Sequence, residues 1–175
     1  MTKLFDLPVF NFINHTMSNH FFDKMMPLIS RFGGGELYFL IGLIFLLSKK
    51  RELKSLGVAL LAALTFSYYI SGALKIFTAR PRPFIAFTNV ILLGDMPKAY
   101  SFPSGHAVYA FAVATLLTGR FKKYGVIFYS LAALVAFSRV YMGAHYPSDV
   151  LIGAAIGIMI GMFLEKVDKY LADSR

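Results

Sequence analysis

Five apolar stretches dominate the chain, and short segments between them carry most of its charged residues. The second stretch, residues 55–74, contains no charged side chain and has the length of about 20 residues that a membrane-spanning helix needs. Almost no polar stripe interrupts the other stretches, which disfavours a soluble bundle with a solvated face. The pattern predicts five transmembrane helices, over residues 34–48, 55–74, 104–119, 124–141 and 148–164.

The N-terminal segment, residues 1–33, has a different pattern. Lys3, Asp6 and Asp23 are mixed with aromatic residues, and the segment has no continuous apolar core of signal-peptide type. Such a mixture is typical of a partly helical segment in the membrane interface, with its aromatic side chains in lipid; a packed surface helix is the alternative. We therefore predict an all-α integral-membrane helical bundle of six helices, with residues 1–33 as the interfacial one.

The composition agrees with a membrane protein. The chain is 57% hydrophobic and 15% charged, whereas soluble domains have about 25% charged residues. Its length of 175 residues suits a single domain, 1–175. The absence of cysteine excludes disulfides, thiolate nucleophiles and cysteine-based zinc sites.

The net charge of +9 fits either nucleic acid or anionic lipid as a partner, and the distribution of the charge decides between them. Short loops rich in lysine and arginine stay in the cytoplasm. Basic clusters follow the first, third and fifth stretches: Lys49, Lys50, Arg51 and Lys54; Arg120, Lys122 and Lys123; Lys166, Lys169 and Arg175. This alternation predicts a multi-pass protein with a cytoplasmic C-terminus, and it favours the lipid bilayer over nucleic acid as the partner.

Three polar islands lie at the ends of the stretches that this topology places outside. Ionisable residues at membrane depth are rare unless they have a partner or a function. Three distant islands at one depth therefore predict a single site, with its motifs within residues 75–149. The islands contain Lys75, Arg82 and Pro83; Pro103, Ser104, Gly105 and His106; and Ser138, Arg139, His145 and Asp149.

The residue types in the islands suit a phosphate-binding site. Ser104 and Gly105 begin a predicted helix, where unpaired N–H groups and the helix dipole attract an anion. Ser104 also fits a helix N-cap, and the two roles are compatible. Arg82 and Arg139 can each bind two phosphoryl oxygens, and Lys75 adds a compact charge. Pro81 and Pro83 are expected to keep the backbone at Arg82 extended.

The two histidines can divide the remaining chemistry. One imidazole can attack phosphorus if it is neutral, and the other can protonate the leaving oxygen if it is charged. His145 has a carboxylate four residues later, and Asp149 can fix its tautomer and stabilise the positive charge that develops on attack. His106 has no acidic neighbour in its island, which fits the acid role less decisively. Asp149 alone would also fit a helix cap.

The three islands together resemble the signature of the type 2 phosphatidic acid phosphatase (PAP2) superfamily, which includes bacterial acid phosphatases and vanadium haloperoxidases. The resemblance covers residues 75–149, and every expected position is filled. It implies a PAP2/haloperoxidase-like core and a lipid phosphatase of bacterial inner-membrane type that needs no metal or other cofactor. It further implies that His145 forms a phosphohistidine oriented by Asp149 and that His106 protonates the leaving group. The resemblance also implies that the phosphate is bound by Lys75, Arg82, Ser104, Gly105 and Arg139.

One residue, Gly105, reduces the range of candidate lipid substrates. The resemblance suggests lipid A 1-phosphate, phosphatidylglycerol phosphate or undecaprenyl pyrophosphate, presented at the periplasmic face. Gly105 stands where many small undecaprenyl pyrophosphate phosphatases carry aspartate, which favours the first two lipids. Two other classes stay open, a non-enzymatic anion-binding lipid transporter or scaffold and a vanadate-dependent haloperoxidase. The sequence does not indicate an oligomer.

Two further features suggest structural roles. The loop of residues 84–100, with an apolar run near Asp95 and Lys98, is expected to dip into the outer interface and shape the entrance for acyl chains. Gly153, Gly157 and Gly161 recur every four residues, which predicts close packing of the fifth helix against a neighbour within the monomer.

Overall fold

The computed structural model describes residues 2–94 and 100–173, and every regular element in this part of the chain is helical. Single π-helical turns flank the first helix, and a short 3₁₀ turn precedes the seventh. The predicted all-α membrane architecture is confirmed. The helices are α1 (Leu7–Asn11), α2 (His20–Arg31), α3 (Gly35–Leu46), α4 (Arg51–Thr78), α5 (Pro83–Ala86), α6 (Gly105–Arg120), α7 (Gly125–Tyr141) and α8 (Pro147–Asp173).

The five apolar stretches form α3, α4, α6, α7 and α8, which differ in length. Within the described residues, three segments are long and apolar enough to cross a bilayer on their own: Arg51–Ala86, Lys122–Tyr141 and Pro147–Tyr170. The predicted first span is not one straight helix, because α3 has only 12 residues. Together with α2 it makes a pair bent by 43° that can cross as one broken span.

The N-terminal segment packs on the bundle as well as exposing aromatic residues to lipid. Phe12 and Phe21 are exposed, as expected for an interfacial segment, whereas Phe10 is buried in the core. Asn14 is fully buried, and its Nδ2 donates hydrogen bonds to the carbonyl oxygens of Tyr141 (2.7 Å) and Ile91 (2.8 Å). Because a buried amide needs such partners, Asn14 fixes the segment to the end of α7.

The helix α6 lies at the centre of the bundle, where it packs against α4, α7 and α8. With 16 residues it is about 24 Å long, which is short for a bilayer core of about 30 Å but sufficient for a core helix. The glycines of α8 lie directly against it: a Cβ added to Gly157 would be 2.4 Å from the Val108 oxygen, and one on Gly153 would be 2.9 Å from the Ser104 oxygen. The predicted packing of the fifth helix within the monomer is confirmed.

The basic clusters meet at one end of the bundle. Arg120, at the end of α6, lies 3.4 Å from carboxylates of both Glu52 on α4 and Asp168 on α8. Ser55 also hydrogen-bonds to Asp168. The start of α4 and the ends of α6 and α8 therefore share one end, and the polar islands lie at the other.

Candidate active site

The first island begins where α4 ends. Ala79 adopts a left-handed conformation (φ 45°) and donates its N–H to the Lys75 oxygen (3.0 Å), which terminates the helix and turns the chain. The Lys75 ammonium reaches the second island, because Nζ donates to the carbonyl oxygens of Pro103 (2.6 Å) and Tyr100 (3.1 Å).

Arg82 joins the first island to the third. Its backbone is extended (φ −73°, ψ 157°), as the flanking prolines predict. The side chain is buried, and Nη1 donates to the Ala144 oxygen (2.8 Å). The same Nη1 lies 3.1 Å from Nε2 of His145. A fixed cation therefore lies against the predicted nucleophile.

The second island opens α6. Ser104 occupies the N-cap position, and its N–H donates to the Asp149 oxygen (3.1 Å), which links this island to the third. The predicted capping role of its hydroxyl is wrong: Oγ makes no capping hydrogen bond, and this buried atom has no hydrogen-bond partner in the described part of the chain. The space beside Gly105 is open, since an added Cβ would meet nothing closer than the Tyr109 ring at 4.0 Å.

The third island spans the turn between α7 and α8. Gly143 has φ 75°, and a Cβ there would lie 2.7 Å from the Ile91 oxygen, so the turn needs glycine. The N–H groups of Ala144 and His145 both donate to the Arg139 oxygen. This wraps the turn over the end of α7 and brings His145 beside Arg139.

The two polar residues that close α7 differ in their bonding. The Ser138 hydroxyl donates to the Val135 oxygen (2.6 Å) in its own helix. Arg139 is buried, and its Nη1 donates to the Ser30 hydroxyl of α2 (2.6 Å), whereas its Nε has no hydrogen-bond partner within residues 2–94 and 100–173. One edge of the guanidinium is therefore anchored and the other can bind an anion.

His145 lies between Asp149 and Arg82. Its Nδ1 is 3.5 Å from Asp149 Oδ2, longer than an ordinary hydrogen bond, and has no other partner among the described residues. Because an arginine N–H faces Nε2, the contacts assign the proton to Nδ1 and the lone pair to Nε2. Burial lowers the pKa of His145 to about 3; Asp149 opposes this shift, whereas Arg82 and Arg139 add to it. The imidazole is therefore neutral near pH 7.

Asp149 is held by residues that no island contains. Its carboxylate accepts hydrogen bonds from the Arg80 guanidinium, the Ser101 hydroxyl and the Tyr146 N–H. Arg80 also pairs with Asp6 at 2.6 Å and lies 4.0 Å above the Tyr146 ring. The Asp6 carboxylate in turn accepts from the N–H (2.8 Å) and hydroxyl (2.7 Å) of Ser148. A buried network therefore fixes the carboxylate that faces His145.

His106 faces the opposite side of the site. It lies one residue into α6, is partly exposed, and is within electrostatic range of His145 and of the site cations Lys75, Arg82 and Arg139. It lines a cavity of 910 Å³ between α3, α4 and α6. An adjoining cavity of 770 Å³ reaches Lys75 and Gly105.

The structure thus brings the eight predicted site residues to one end of the bundle. Ser104 Oγ, Arg139 Nε and His145 Nδ1 are three of the four buried side-chain atoms without a hydrogen-bond partner among the described residues. Buried polar groups are otherwise almost always paired, so a cluster of unpaired ones indicates a bound polar ligand. No group of three His, Asp or Glu side chains suited to a metal ion occurs in residues 2–94 and 100–173.

Sequence reasoning missed the residues that support the site from a distance. Arg80 was visible only as a basic residue next to Pro81, and Asp6 only as an acidic residue between apolar neighbours. Asp6 is buried and Arg80 is partly buried, and an acidic residue in an apolar segment is the signal that could have indicated a partner. Ser101 and Ser30 carried no comparable signal.

The described part of the loop that follows α5 packs against the N-terminal segment and the α7–α8 turn. The Leu93 N–H donates to the Met142 oxygen (3.2 Å), and the Ile91 N–H donates to Asn14 Oδ1 (3.0 Å). These contacts place residues 90–93 on the N-terminal segment and the α7–α8 turn, whereas the cavity that reaches His106 is lined by α3, α4 and α6. Asp95 and Lys98 lie outside the described residues.

Comparisons with known proteins agree with this geometry. The undecaprenyl-diphosphatase of Sulfolobus acidocaldarius is 27% identical over 94% of this chain and 79% of its own length. The lipid A 4'-phosphatase of Porphyromonas gingivalis is 34% identical over 77% of this chain and 60% of its own length. The crystal structure of Aquifex aeolicus LpxE superposes with a TM-score of 0.80 at 31% identity, over 92% of this chain and 94% of that one.

The family model described as the PAP2 superfamily matches residues 56–171, which include all three islands. The match begins in α4 and ends within α8, so it covers the helices that carry the site. The chain belongs to the PAP2 superfamily.

Proposed function

We propose that this protein is a membrane lipid phosphatase that hydrolyses a phosphate monoester or pyrophosphate through a covalent phosphohistidine at His145. The observation that carries the proposal is the position of His145, whose Nε2 lies 3.1 Å from a guanidinium nitrogen of Arg82 and whose Nδ1 faces Asp149. A neutral nucleophile beside a fixed cation is the arrangement that attack on an anionic phosphoryl group requires.

In the first step Nε2 of His145 attacks phosphorus and the bond to the leaving oxygen breaks. For this to occur Arg82 must give up its contact with Nε2, and a phosphoryl oxygen is an acceptor that can replace it. Asp149 stabilises the positive charge that grows on the imidazole as the N–P bond forms. His106 donates a proton to the leaving oxygen, so the lipid of a phosphate monoester departs as a neutral hydroxyl and that of a pyrophosphate departs as a lipid phosphate.

In the second step water attacks the phosphohistidine. His106, which lost its proton in the first step, accepts one from this water, and the N–P bond breaks to release inorganic phosphate. The cycle returns His145 to its neutral form and His106 to the form that donates the proton. Burial and the nearby cations lower the pKa of His106 to about 3, so we assign the stabilisation of its protonated form to the negative charge of the bound phosphoryl group. The exposed side of His106 towards the 910 Å³ cavity supports this assignment, because both the leaving group and water need access there.

Charge stabilisation is assigned to the protein's own cations and N–H groups, without a metal. The Arg139 Nε and Ser104 Oγ atoms are buried donors that find no partner among the residues described, and Lys75 and Gly105 line the adjoining cavity. Preorganised donors of this kind lower the barrier because they need not reorient when charge develops.

The site is assigned to the periplasmic or extracellular side of the bacterial cytoplasmic membrane. The support is the clustering of basic residues around Arg120 at the opposite end of the bundle, since lysine- and arginine-rich loops stay in the cytoplasm. The C-terminal end of α8 is then cytoplasmic.

The proposed substrates are lipid A 1-phosphate and phosphatidylglycerol phosphate, with undecaprenyl pyrophosphate as the third. The named relatives act on lipid A and on an undecaprenyl diphosphate, which supports a lipid carrying a phosphate in the interface.

The decisive experiment is chemical trapping of the covalent intermediate. Purified protein in detergent is mixed with a ³²P-labelled lipid substrate in the presence of a chelator and quenched within milliseconds. We expect a radiolabelled protein with the acid lability of a phosphohistidine, and no label in His145→Ala. Label retained in that variant would refute the nucleophile, and turnover abolished by the chelator would refute the metal-free mechanism.

The two rival classes give opposite results in simple assays. A lipid transporter would keep its function in both His145→Ala and His106→Ala, whereas the phosphatase loses turnover. Vanadate would create activity in a haloperoxidase, whereas it should inhibit a phosphatase as an analogue of the transferred phosphoryl group.

A further inference from the structure

A groove along α4 leads to the acid side of the site. It consists of the two cavities described above, of 910 and 770 Å³, which share Tyr68, Tyr69 and Tyr109 in their linings. We call it the α4 groove. One part of it reaches His106, and the other reaches Lys75 and Gly105. Whatever occupies it lies on the leaving-group side of the proposed reaction.

One carboxylate stands in this groove. Glu36 is in the first turn of α3, is exposed, and lines the same cavity as His106. Tyr68 and Tyr109 line the same cavity as Glu36, so the three polar side chains border one space. No lysine or arginine within residues 2–94 and 100–173 forms an ion pair with Glu36.

The Tyr109 ring connects this group to the phosphate-binding residues. An added Cβ would lie 4.0 Å from the ring at Gly105 and 3.8 Å from it at Gly35. The ring therefore lies between the start of α6, where the phosphoryl group is proposed to bind, and the residue before Glu36. A headgroup attached to that phosphoryl group through its leaving oxygen would meet Tyr109 and Glu36 next.

The charge of Glu36 distinguishes between leaving groups. A pyrophosphate releases a lipid phosphate, which brings a second negative charge towards an uncompensated carboxylate; like charges in such positions are unfavourable. A sugar phosphate releases a neutral hydroxyl group, and carboxylate and phenol oxygens can accept hydrogen bonds from the remaining sugar hydroxyls.

We propose that Glu36, Tyr68 and Tyr109 form a leaving-group subsite that selects phosphomonoesters of a neutral, hydroxyl-rich headgroup, such as a glycolipid sugar, over lipid pyrophosphates. This inference rests on the proposed phosphatase activity and adds specificity-determining residues to it. The subsite lies outside the three motifs, so it can differ between proteins that share the same catalytic groups.

The test compares two substrates in purified full-length protein: lipid A 1-phosphate, which leaves as a sugar hydroxyl, and undecaprenyl pyrophosphate, which leaves as a lipid phosphate. We expect Glu36→Gln to lower the ratio of their kcat/KM values by about tenfold, because the like-charge penalty on the pyrophosphate disappears. Tyr109→Phe should lower kcat/KM for the glycolipid without raising that for the pyrophosphate.

The matched control is Glu52→Gln, the same exchange on a carboxylate at the opposite end of the bundle, and it should leave the ratio unchanged. The inference is overturned if Glu36→Gln has the wild-type ratio or loses both activities equally. Failure of the proposed function is recognised separately, in the wild type: no hydrolysis of either lipid or of a soluble phosphate ester would overturn the proposed function, and the subsite with it.

Discussion

The two sides of the site are built in different ways. On the side of His145, which we call the closed side, Arg80 bridges the buried carboxylates of Asp6 and Asp149. On the side of His106 the α4 groove is open and lined by exposed tyrosines, including Tyr68. The closed side is therefore a hydrogen-bonded network, whereas the His106 side is the surface of an open groove.

This difference follows from the chemistry proposed for each side. A nucleophile must meet phosphorus in one geometry whatever the lipid, so its support can be rigid and buried. The acid serves a leaving group that differs between lipids and has to enter from the bilayer. The comparison suggests that the closed side determines whether the reaction occurs and that the groove determines on which lipid it occurs.

The largest expected effect is the loss of kcat when either histidine is replaced, and this loss should depend on the leaving group for His106 but not for His145. His145→Ala should lower kcat by more than about 10⁴-fold on both a lipid phosphate and p-nitrophenyl phosphate, because it removes the covalent path for any ester. His106→Ala should lower kcat by about 10²–10⁴-fold on the lipid but far less on p-nitrophenyl phosphate, whose leaving group needs no proton. Steady-state kinetics on the two esters measures the difference.

The proposed difference between the closed side and the α4 groove would be contradicted if the two variants lost both activities in the same proportion. Equal losses would mean that neither side of the site is specialised for the leaving group. Size-exclusion profiles in detergent serve as the control for folding of both variants.

The next effect concerns the closed side alone. Arg80→Ala leaves two buried carboxylates without their shared cation, and breaking such a pair costs about 3–5 kcal/mol, so we expect a large loss of thermal stability. Asp6→Asn keeps the shape of the network but removes one charge. It should lower kcat by about tenfold with little change in KM, because the orientation of Asp149 is disturbed and the groove is not.

A carboxylate at the other end of the bundle gives the matched control for Asp6. Asp168→Asn also removes a partner from an arginine, here Arg120, and should affect stability without lowering kcat. If Asp6→Asn behaves in the same way as Asp168→Asn, the network around Arg80 only stabilises the fold and does not position the nucleophile.

The third prediction concerns acid stability. The pKa of His145 is lowered to about 3 in the folded protein, below the usual value of about 6.5. As the pH falls below about 6.5 the unfolded chain binds a proton that the folded protein does not, so stability is lost by up to about 1.4 kcal/mol per pH unit. Thermal denaturation of His145→Asn should show a smaller loss on acidification; an identical pH dependence would contradict the buried, neutral state of His145.

The smallest effect concerns the turn that connects the two sides. Ala79 lies between Lys75, which lines the groove, and Arg80, and its left-handed conformation is unfavourable for a residue with a Cβ. Ala79→Gly should raise stability by about 1 kcal/mol or less and leave the substrate ratio unchanged. A thermal denaturation curve measures the change in stability, and a destabilised Ala79→Gly variant would show that the turn is not strained.

The groups proposed to react could be predicted from the sequence because each island is short and lies at the end of an apolar stretch. Lys75 lies in the last turn of α4, His106 is near the start of α6 and His145 precedes α8. All three helices were visible as apolar stretches, although α4 and α8 extend beyond the predicted ranges. The shared end of the bundle followed from the basic loops, since alternating spans fix which ends are neighbours. Local sequence was sufficient for these features.

The supporting groups could not be predicted, because their partners are far away in the sequence. Asp6 and Arg80 are separated by 74 residues, and Asn14 and Ile91 by 77. Nothing near any of them indicates the partner. The bend between α2 and α3 was missed for a related reason: Gly33 lies against Val135 and His106, contacts that only the folded chain creates.

The close contact of α6 and α8 has a consequence for how the enzyme tolerates change. The glycines of α8 leave no room for a Cβ, and the Ser104 N–H bonds to Asp149 where the two helices begin. A slip of one turn between these helices would move His106 by about 5.4 Å relative to the start of α8, too far for the proposed acid and the proposed nucleophile to act on one phosphorus atom. The three glycines thus set the spacing of the reacting groups from a distance, and sequence drift on the lipid-facing helices can alter substrate choice without disturbing it.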